Sequence, residues 1–210
     1  MSFALVESGK ITKLINGNKG IKIGDNQYPS SFFTAIYSEA ERNAVGVYTI
    51  EIDGTNKKNQ EWYINTNITY TYDSSANKVK GAYGTATAKA HADTTYTEQD
   101  KTDDLIPVDK DVGDVKSRGL KYNLIQGVKS EARAILGETD WYVVRKADTS
   151  EAVPTNIATH RAAVRTKQAE METSITNAAD TAALQTLYTY TYNSETKVTS
   201  RPIGELPTLE

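Results

Sequence analysis

The sequence contains no cysteine and only two histidines, and these absences exclude several classes of site. Without cysteine the chain forms no disulfides, no thiolate metal sites and no cysteine nucleophile. His91 and His160 lie far apart in the sequence, which gives little basis for a histidine metal centre. A basic surplus is also missing, since the formal net charge is −3, whereas nucleic-acid binders depend on one. We therefore expect no metal or other cofactor and no nucleic-acid partner.

Long apolar runs are missing as well. No apolar stretch approaches the ~20 residues that a membrane-spanning helix requires, so we expect no membrane insertion. The first seven residues have no basic region and already include Glu7, so we also expect no signal peptide. A chain of 210 residues is nevertheless long enough to bury a substantial core.

Threonine and tyrosine, by contrast, are abundant, and they favour β-strands. They are concentrated before residue 100 and after residue 187, with an alanine-rich helical pattern between. We therefore predict an α+β protein. Its predicted regions are a mostly antiparallel β-sheet domain at 1–88, an irregular acidic connector at 89–119, a helical hairpin at 120–187 and a β-rich C-terminal tail at 188–210.

Local signals refine the first two regions. Strand-like residues 10–15 and 21–23 flank Asn16-Gly17, which predicts a hairpin turn between them. Ser38-Glu39-Ala40-Glu41 has the pattern of a capping box, which predicts the start of a short helix. Within the connector, residues 109–114 lack the glycine and glutamate positions of a calcium-binding EF-hand loop, so a solvated linker is favoured.

Helical periodicity governs the third region. Apolar residues recur at three- and four-residue steps from Leu120 to Leu136. Residues 139–146 suit either a short helix or a strand, and their cap-like threonine and late basic residues favour the helix. A long helix is predicted at 155–176, with one stripe formed by Ile157, Val164, Gln168, Met171 and Ile175.

Catalytic motifs are not found. Neither histidine has a nucleophile or metal-ligand motif around it, and we expect both on the surface. The adjacent acids Asp103 and Asp104 could form a glycosidase pair, but in a charged connector they favour solvation. We expect no enzymatic activity.

One short sequence occurs twice. Thr69-Tyr70-Thr71-Tyr72-Asp73-Ser74 is similar to Thr189-Tyr190-Thr191-Tyr192-Asn193-Ser194, and a Lys-Val pair follows each copy. The pattern predicts two similar edge hairpins and not a repeat architecture. Their tyrosines could form a carbohydrate- or protein-binding face: Tyr70, Tyr72, Tyr190 and Tyr192. The apolar surroundings of Trp62 and Trp141 favour a core position for both tryptophans.

The segment Thr139-Asp140-Trp141-Tyr142-Val143-Val144-Arg145-Lys146 is followed by Glu151-Ala152-Val153-Pro154 and by His160-Arg161-Ala162-Ala163-Val164-Arg165. This succession resembles a segment of tail-fibre, baseplate and fibre-assembly proteins of tailed bacteriophages, in which a tyrosine is commoner at the place of His160. The resemblance covers about residues 120–190. It implies that Asp140 caps the short helix, that Trp141 anchors it against the long helix, and that the arginines pair with acids or with a partner. The implied interaction residues are Trp141, Tyr142, Arg145, Arg161 and Arg165.

The resemblance implies a structural protein of the virion that joins tail or baseplate and fibre components through protein–protein contacts. Its partners would be other tail, baseplate or fibre proteins and further copies of itself, in a virion tail assembled in the bacterial cytoplasm. Two alternatives remain open: a tail-fibre assembly chaperone and a carbohydrate-binding module of a fibre.

Overall fold

The computed structural model describes residues 2–17 and 19–209, and the chain divides into two compact units, Met1–Thr87 and Ala88–Glu210. Across the described residues, 36% are helical and 25% lie in strands, which confirms the predicted α+β class. Each unit has its own buried residues, and each is described by itself below.

A five-stranded sheet forms the first unit. Its spatial order is β2-β1-β5-β8-β7, with β1 at Phe3–Glu7, β2 at Lys10–Ile15, β5 at Val47–Asp53, β7 at Ile68–Asp73 and β8 at Lys78–Tyr83. The β1–β2, β1–β5 and β7–β8 pairs are antiparallel, as the sequence predicts for most of the sheet. The central β5–β8 pair is parallel, so the curled sheet is mixed.

Smaller elements complete this unit: the hairpin of β3 and β4, a 3₁₀ turn, helix α1 and the two-residue strands β6 and β9. Their bounds are Ile21–Ile23, Asn26–Tyr28, Ser30–Phe33, Glu39–Ala44, Tyr63–Ile64 and Thr87–Ala88. The capping box of α1 is confirmed, because Ser38 Oγ accepts a hydrogen bond from the Glu41 amide at 3.2 Å and Glu41 Oε2 accepts one from the Ser38 amide at 2.7 Å.

The hairpin predicted at Asn16-Gly17 is wrong in its pairing. Strand β2 pairs with β1, and β3 pairs with β4, while Asn18 of the expected turn lies outside the described residues. The turn that closes β1 onto β2 is Ser8-Gly9, where both residues adopt positive φ, +51° and +75°. Two positive φ angles give the tight turn that matches the twist of an antiparallel pair.

Strand β1 is buried on both faces. Its alternate residues Phe3 and Leu5 pack with Phe32, Phe33 and Val47, whereas Ala4 and Val6 pack with another cluster that contains Tyr48, Ile50 and Val79. Side chains alternate across a strand, so two clusters on one strand mean that covering layers lie on both sides of it. The first unit therefore has its core around β1 and not on one face of the sheet alone.

Four helices dominate the second unit: α3 (Leu120–Gly137), α4 (Asp140–Thr149), α5 (Thr155–Asn177) and α6 (Thr181–Tyr188). Helix α3 packs along α5, as expected of a helical hairpin. The predicted stripe of α5 is confirmed for Ile157, Val164, Met171 and Ile175, all of which are buried, while Gln168 is half-buried. The segment 139–146 forms the start of helix α4, which resolves the helix-or-strand alternative.

The segment 89–119 contains short elements where the sequence predicts an irregular connector. They are β10 (Thr94–Thr95), α2 (Glu98–Thr102) and β11 (Val115–Ser117), with β10 and β11 paired antiparallel. Helix α2 begins with a capping box between Thr97 and Asp100, an acidic variant of the pattern at Ser38. Asp100 also pairs with Lys116, which ties the helix to β11.

The repeated Tyr-Thr sequence forms the same hairpin twice. Strands β7 and β8 enclose one turn, and β12 (Thr191–Asn193) and β13 (Val198–Ser200) enclose the other. In both turns the first side chain, Asp73 or Asn193, accepts hydrogen bonds from two following amides. Asn77 and Lys197 then adopt matching φ angles of +55° and +56°. The first hairpin belongs to the five-stranded sheet, whereas the second is a two-stranded ladder with every strand residue exposed.

Candidate interaction site

The corner between α3 and α4 is held from α5 by the buried side chain of Arg161. Its Nη1 donates to the Leu136 carbonyl oxygen at 2.6 Å and to Thr139 Oγ1 at 2.7 Å, and its Nη2 donates to Asp140 Oδ1 at 2.7 Å. The planar guanidinium thus joins the last turn of α3 to the first residues of α4. Asp140 pairs with this arginine, while Thr139 occupies the cap position of α4, so the predicted capping role of Asp140 is wrong.

Helix α4 projects from this corner with none of its residues buried. Trp141 is 52% exposed and Val144 is 59% exposed, so the expectation that Trp141 lies in the core and anchors α4 against α5 is wrong. Only Trp62 is a core residue of the two tryptophans. We call the following set the α4 surface: the exposed Trp141, Val143 and Val144, and the half-buried Tyr142 and Arg145.

Aromatic contacts order the α4 surface. The rings of Trp141 and Tyr142 have centroids 3.9 Å apart, and the Arg145 guanidinium lies 4.8 Å from the first ring and 5.3 Å from the second. Arg145 also pairs with Glu151 at 3.2 Å, just beyond the end of α4. These contacts restrict the rotamers of the large side chains before any partner arrives, which lowers the entropic cost of binding.

Arg165 lies one turn beyond Arg161 on α5 and lines an open groove between α3 and α5. The groove, which we call the α3–α5 groove, is lined by Lys129, Arg133, Leu136, Asp140, Arg161, Arg165 and Gln168, and this part of it has a volume of about 410 Å³. Unlike Arg161, Arg165 is exposed and has no acidic partner among the described residues. The five interaction residues that the sequence predicts for this segment therefore lie on α4 and α5, and their arginines have different environments.

The four predicted tyrosines belong to different units. In the first unit, the Tyr72 hydroxyl lies 3.2 Å from that of Tyr48, and this hydrogen bond, together with burial, raises the pKa of Tyr48 to about 12. Tyr70 lines an open cavity of about 430 Å³ with Leu14 and Ile50. These two tyrosines are half-buried, so they contribute to packing as well as to a surface.

In the second unit, Tyr190 and Tyr192 are exposed. The Tyr190 hydroxyl donates to Glu205 Oε1 at 2.7 Å, which raises the pKa of the tyrosine. The guanidinium of Arg201 lies 5.1 Å from the Tyr190 ring and pairs with Glu205 at 2.6 Å. Tyr190 is thus fixed by polar contacts, whereas Tyr192 extends from the exposed β12–β13 hairpin.

Sequence reasoning missed the apolar exposure of Val143 and Val144, and it placed His160 on the surface. His160 is buried on α5, so that expectation is wrong. Valines in a short helix normally indicate its packed face, so the only available signal for exposure was the absence of a continuous apolar stripe along α4.

Within residues 2–17 and 19–209, no group of three or more His, Asp or Glu side chains is arranged to hold a metal ion. No helix in this part of the chain combines the length and the apolar composition needed to cross a membrane.

Comparison with known proteins gives no match to a family model, to a curated protein or to a solved structure.

Proposed function

We propose that this chain is a structural protein of a tailed-bacteriophage virion that joins tail or baseplate components to fibre components through protein–protein contacts, without catalysis. The observation that carries the proposal is the α4 surface, on which the exposed ring of Trp141 contacts the half-buried side chains of Tyr142 and Arg145. Tryptophan, tyrosine and arginine are the residue types that dominate binding energy at protein interfaces. The resemblance of this same segment to phage tail proteins supports the assignment of the partner class.

The rigidity of the α4 surface supports the same proposal. Arg161 holds the start of α4 through three hydrogen bonds to Leu136, Thr139 and Asp140. A helix fixed at its base presents a preformed surface, and a preformed surface binds with a smaller loss of entropy. Such a surface suits a component that must join a large assembly in one orientation.

Mass spectrometry of purified particles tests the proposal. We expect this chain in a fixed ratio to the major tail protein, because a structural component occupies a defined number of positions. Presence in the lysate together with absence from particles would favour the fibre-assembly chaperone. Absence from both the particles and any complex with fibre proteins would contradict both assignments.

Replacing Trp141 by alanine tests the α4 surface itself. We expect particles assembled with Trp141→Ala to incorporate the chain less well, because truncating an interface tryptophan typically costs about 2 kcal/mol or more. Since Trp141 is not buried, the free protein should keep its unfolding midpoint. Ile36→Ala is the matched control, because Ile36 is a still more exposed apolar residue in the other unit. Equal incorporation of both variants would refute a role for the α4 surface.

A carbohydrate-binding module is the second candidate, and the cavity beside Tyr70 favours it. An open cavity of about 430 Å³ that is lined by the aromatic residues Phe3 and Tyr70 and by the lysines Lys13 and Lys19 could accept a sugar. Binding on a glycan array that disappears with Tyr70→Ala would support this function. A blank array for the wild-type protein would rule it out for the glycans tested.

A further inference from the structure

An acidic loop in the second unit presents charge and apolar surface together. Residues 103–112 lie between α2 and β11 and contain four aspartates and one lysine. Leu105 and Val108 are among the exposed large hydrophobic residues, and Val108 is fully exposed. The carboxylates of Asp104 and Asp111 have no basic partner in the described part of the chain. We call these residues the acidic loop.

The acidic loop has a defined conformation. The Leu105 amide donates to the Asp100 carbonyl at 2.8 Å, and the Lys110 amide donates to the Pro107 carbonyl at 2.9 Å. The Asp111 amide donates to Asp114 Oδ2 at 2.9 Å. These bonds fix the backbone of the loop, and the side chain of Val108 extends from it into solvent. Exposed apolar side chains held in this way indicate a contact surface.

The α3–α5 groove has the opposite charge. Lys129 and Arg133 lie four residues apart on α3 and so share one face, and Arg165 faces them from α5. Arg133 and Arg165 have no acidic partner among the described residues, whereas Lys129 lies 3.5 Å from Glu172. The groove continues past Leu136 into an adjoining open cavity of about 650 Å³. It therefore offers two unpaired guanidinium groups beside one apolar side chain, Leu136, which forms its apolar floor, and the carboxylate of Asp140 also lines it.

We propose that copies of this chain associate head to tail, with the acidic loop of one copy in the α3–α5 groove of the next. Unpaired aspartates meet unpaired arginines, a pairing that forms strong charge-assisted hydrogen bonds, and Val108 reaches the apolar floor at Leu136. No residue of the acidic loop lines the groove within one copy, so both surfaces are free in the single chain. The inference rests on the proposed function for its assembly of several copies, but it uses surfaces other than the α4 surface.

The contact between the acidic loop and the α3–α5 groove joins two different surfaces, and this limits the symmetry of the assembly. It is heterologous, so each added copy leaves one loop and one groove free, and the assembly ends only when a ring closes. Rings of identical subunits are one way to build the symmetric parts of a virion. An assembly built on this contact would also weaken as the salt concentration rises, because salt screens partly exposed charge pairs.

Charge reversal tests the proposal in two complementary variants. The groove variant is Arg133→Glu/Arg165→Glu, and the loop variant is Asp104→Lys/Asp111→Lys. Light scattering coupled to gel filtration should give a mass above the 23.1 kDa monomer for the wild-type chain. Each variant should dissociate, with affinity weakened by more than about tenfold because like charges now face each other. Circular dichroism checks that both variants are folded.

Mixing the two variants distinguishes a head-to-tail contact from any other. The intact loop of the groove variant fits the intact groove of the loop variant, and the reversed loop and reversed groove are complementary to each other as well. The mixture should therefore associate again into species heavier than the monomer, although each variant alone does not. The control Lys146→Glu/Lys197→Glu reverses two exposed cations outside the groove and should associate like the wild-type chain.

Three results would overturn the inference: a monomeric wild-type chain at its highest soluble concentration, variants that associate normally, or a mixture that stays monomeric. A monomeric chain that is nevertheless incorporated into particles would reject the inference and keep the proposed function. A chain that associates in solution but is absent from particles would keep the inference and reject the proposed function.

Discussion

Replacing Arg161 by methionine should destabilise the second unit because it removes a buried guanidinium while keeping much of the side-chain volume. Arg161 is 7% exposed and reaches three acceptors, at Leu136, Thr139 and Asp140. Methionine can replace none of these hydrogen bonds. The Leu136 carbonyl retains only the Thr139 hydroxyl as a side-chain donor, at 3.1 Å.

The magnitude follows from the different exposure of the three acceptors. Hydrogen bonds from a charged donor contribute about 1.5–3 kcal/mol each, and the two to Leu136 and Thr139 lie inside the corner. The contact with Asp140 contributes at most about 1 kcal/mol, because that carboxylate is 62% exposed. The two inner hydrogen bonds together contribute about 3–6 kcal/mol, so we expect Arg161→Met to lower the free energy of unfolding by at least about 3 kcal/mol.

Asp140→Ala is the matched comparison. It removes only the exposed partner and leaves the two buried hydrogen bonds intact, so its cost should stay below about 1 kcal/mol. Arg161→Lys keeps the charge but can reach fewer acceptors, and its cost should fall between the other two.

Chemical denaturation followed by the helical circular dichroism signal measures all three variants, since most of the helix lies in the second unit. The reasoning fails if Arg161→Met unfolds within about 0.5 kcal/mol of the wild-type protein, which is the range of an ordinary surface substitution. It fails equally if Asp140→Ala costs as much as Arg161→Met, because the exposed ion pair would then be the main contribution.

Two further predictions concern local features. Lys116 and Thr97 lower the pKa of Asp100 to about 2, so its contribution to stability is present above its unfolded pKa of about 4 and is lost as pH falls towards 2. Asp100→Asn should therefore be less stable than wild type at neutral pH and equally stable near pH 2, and a pH-independent difference would contradict this. Lys197→Gly should raise the free energy of unfolding by up to about 1 kcal/mol, because Lys197 adopts a positive φ, and Asn77→Gly should raise it less, as measured by denaturation.

Structural features that depend on residues close together in the sequence could be predicted. The capping box at Ser38 and the buried stripe of α5 follow from spacings of three or four residues, and both are confirmed. The helix at α4 was likewise favoured from its cap-like threonine and its basic C-terminal residues. Such elements are encoded locally, so one sequence is enough to find them.

Structural features that depend on residues far apart in the sequence could not be predicted. The parallel pairing of β5 with β8 depends on which strands meet in the sheet, and the turn at Ser8-Gly9 competes with a stronger turn signal at Asn16-Gly17. The exposure of Trp141 is a further case, because an apolar side chain becomes core or surface only when neighbouring elements cover it. Arg161 shows the opposite deviation: it is a charged residue that is buried, because the α3–α4 corner surrounds its side chain.

The candidate site was predictable to a similar extent. The resemblance drew attention to the residues from Trp141 to Arg165, but it did not separate the exposed aromatic residues from the buried arginine at their base. Arg133 and the acidic loop are not among the interaction residues predicted from the sequence, and only their unpaired charges in the folded chain distinguish them.

The two copies of the hairpin have the same turn conformation but differ in the stability of their strand ladders. The same sequence of turn residues closes β7–β8 and β12–β13, so the closing step is encoded locally and both hairpins can form rapidly. In the first hairpin β8 is also paired with β5 on its other side, whereas the β12–β13 ladder has no third strand and can open alone. Opening the β12–β13 hairpin therefore costs less free energy than opening the β7–β8 hairpin. A strand that paired with the edge of β12–β13 would slow the exchange of its backbone amides.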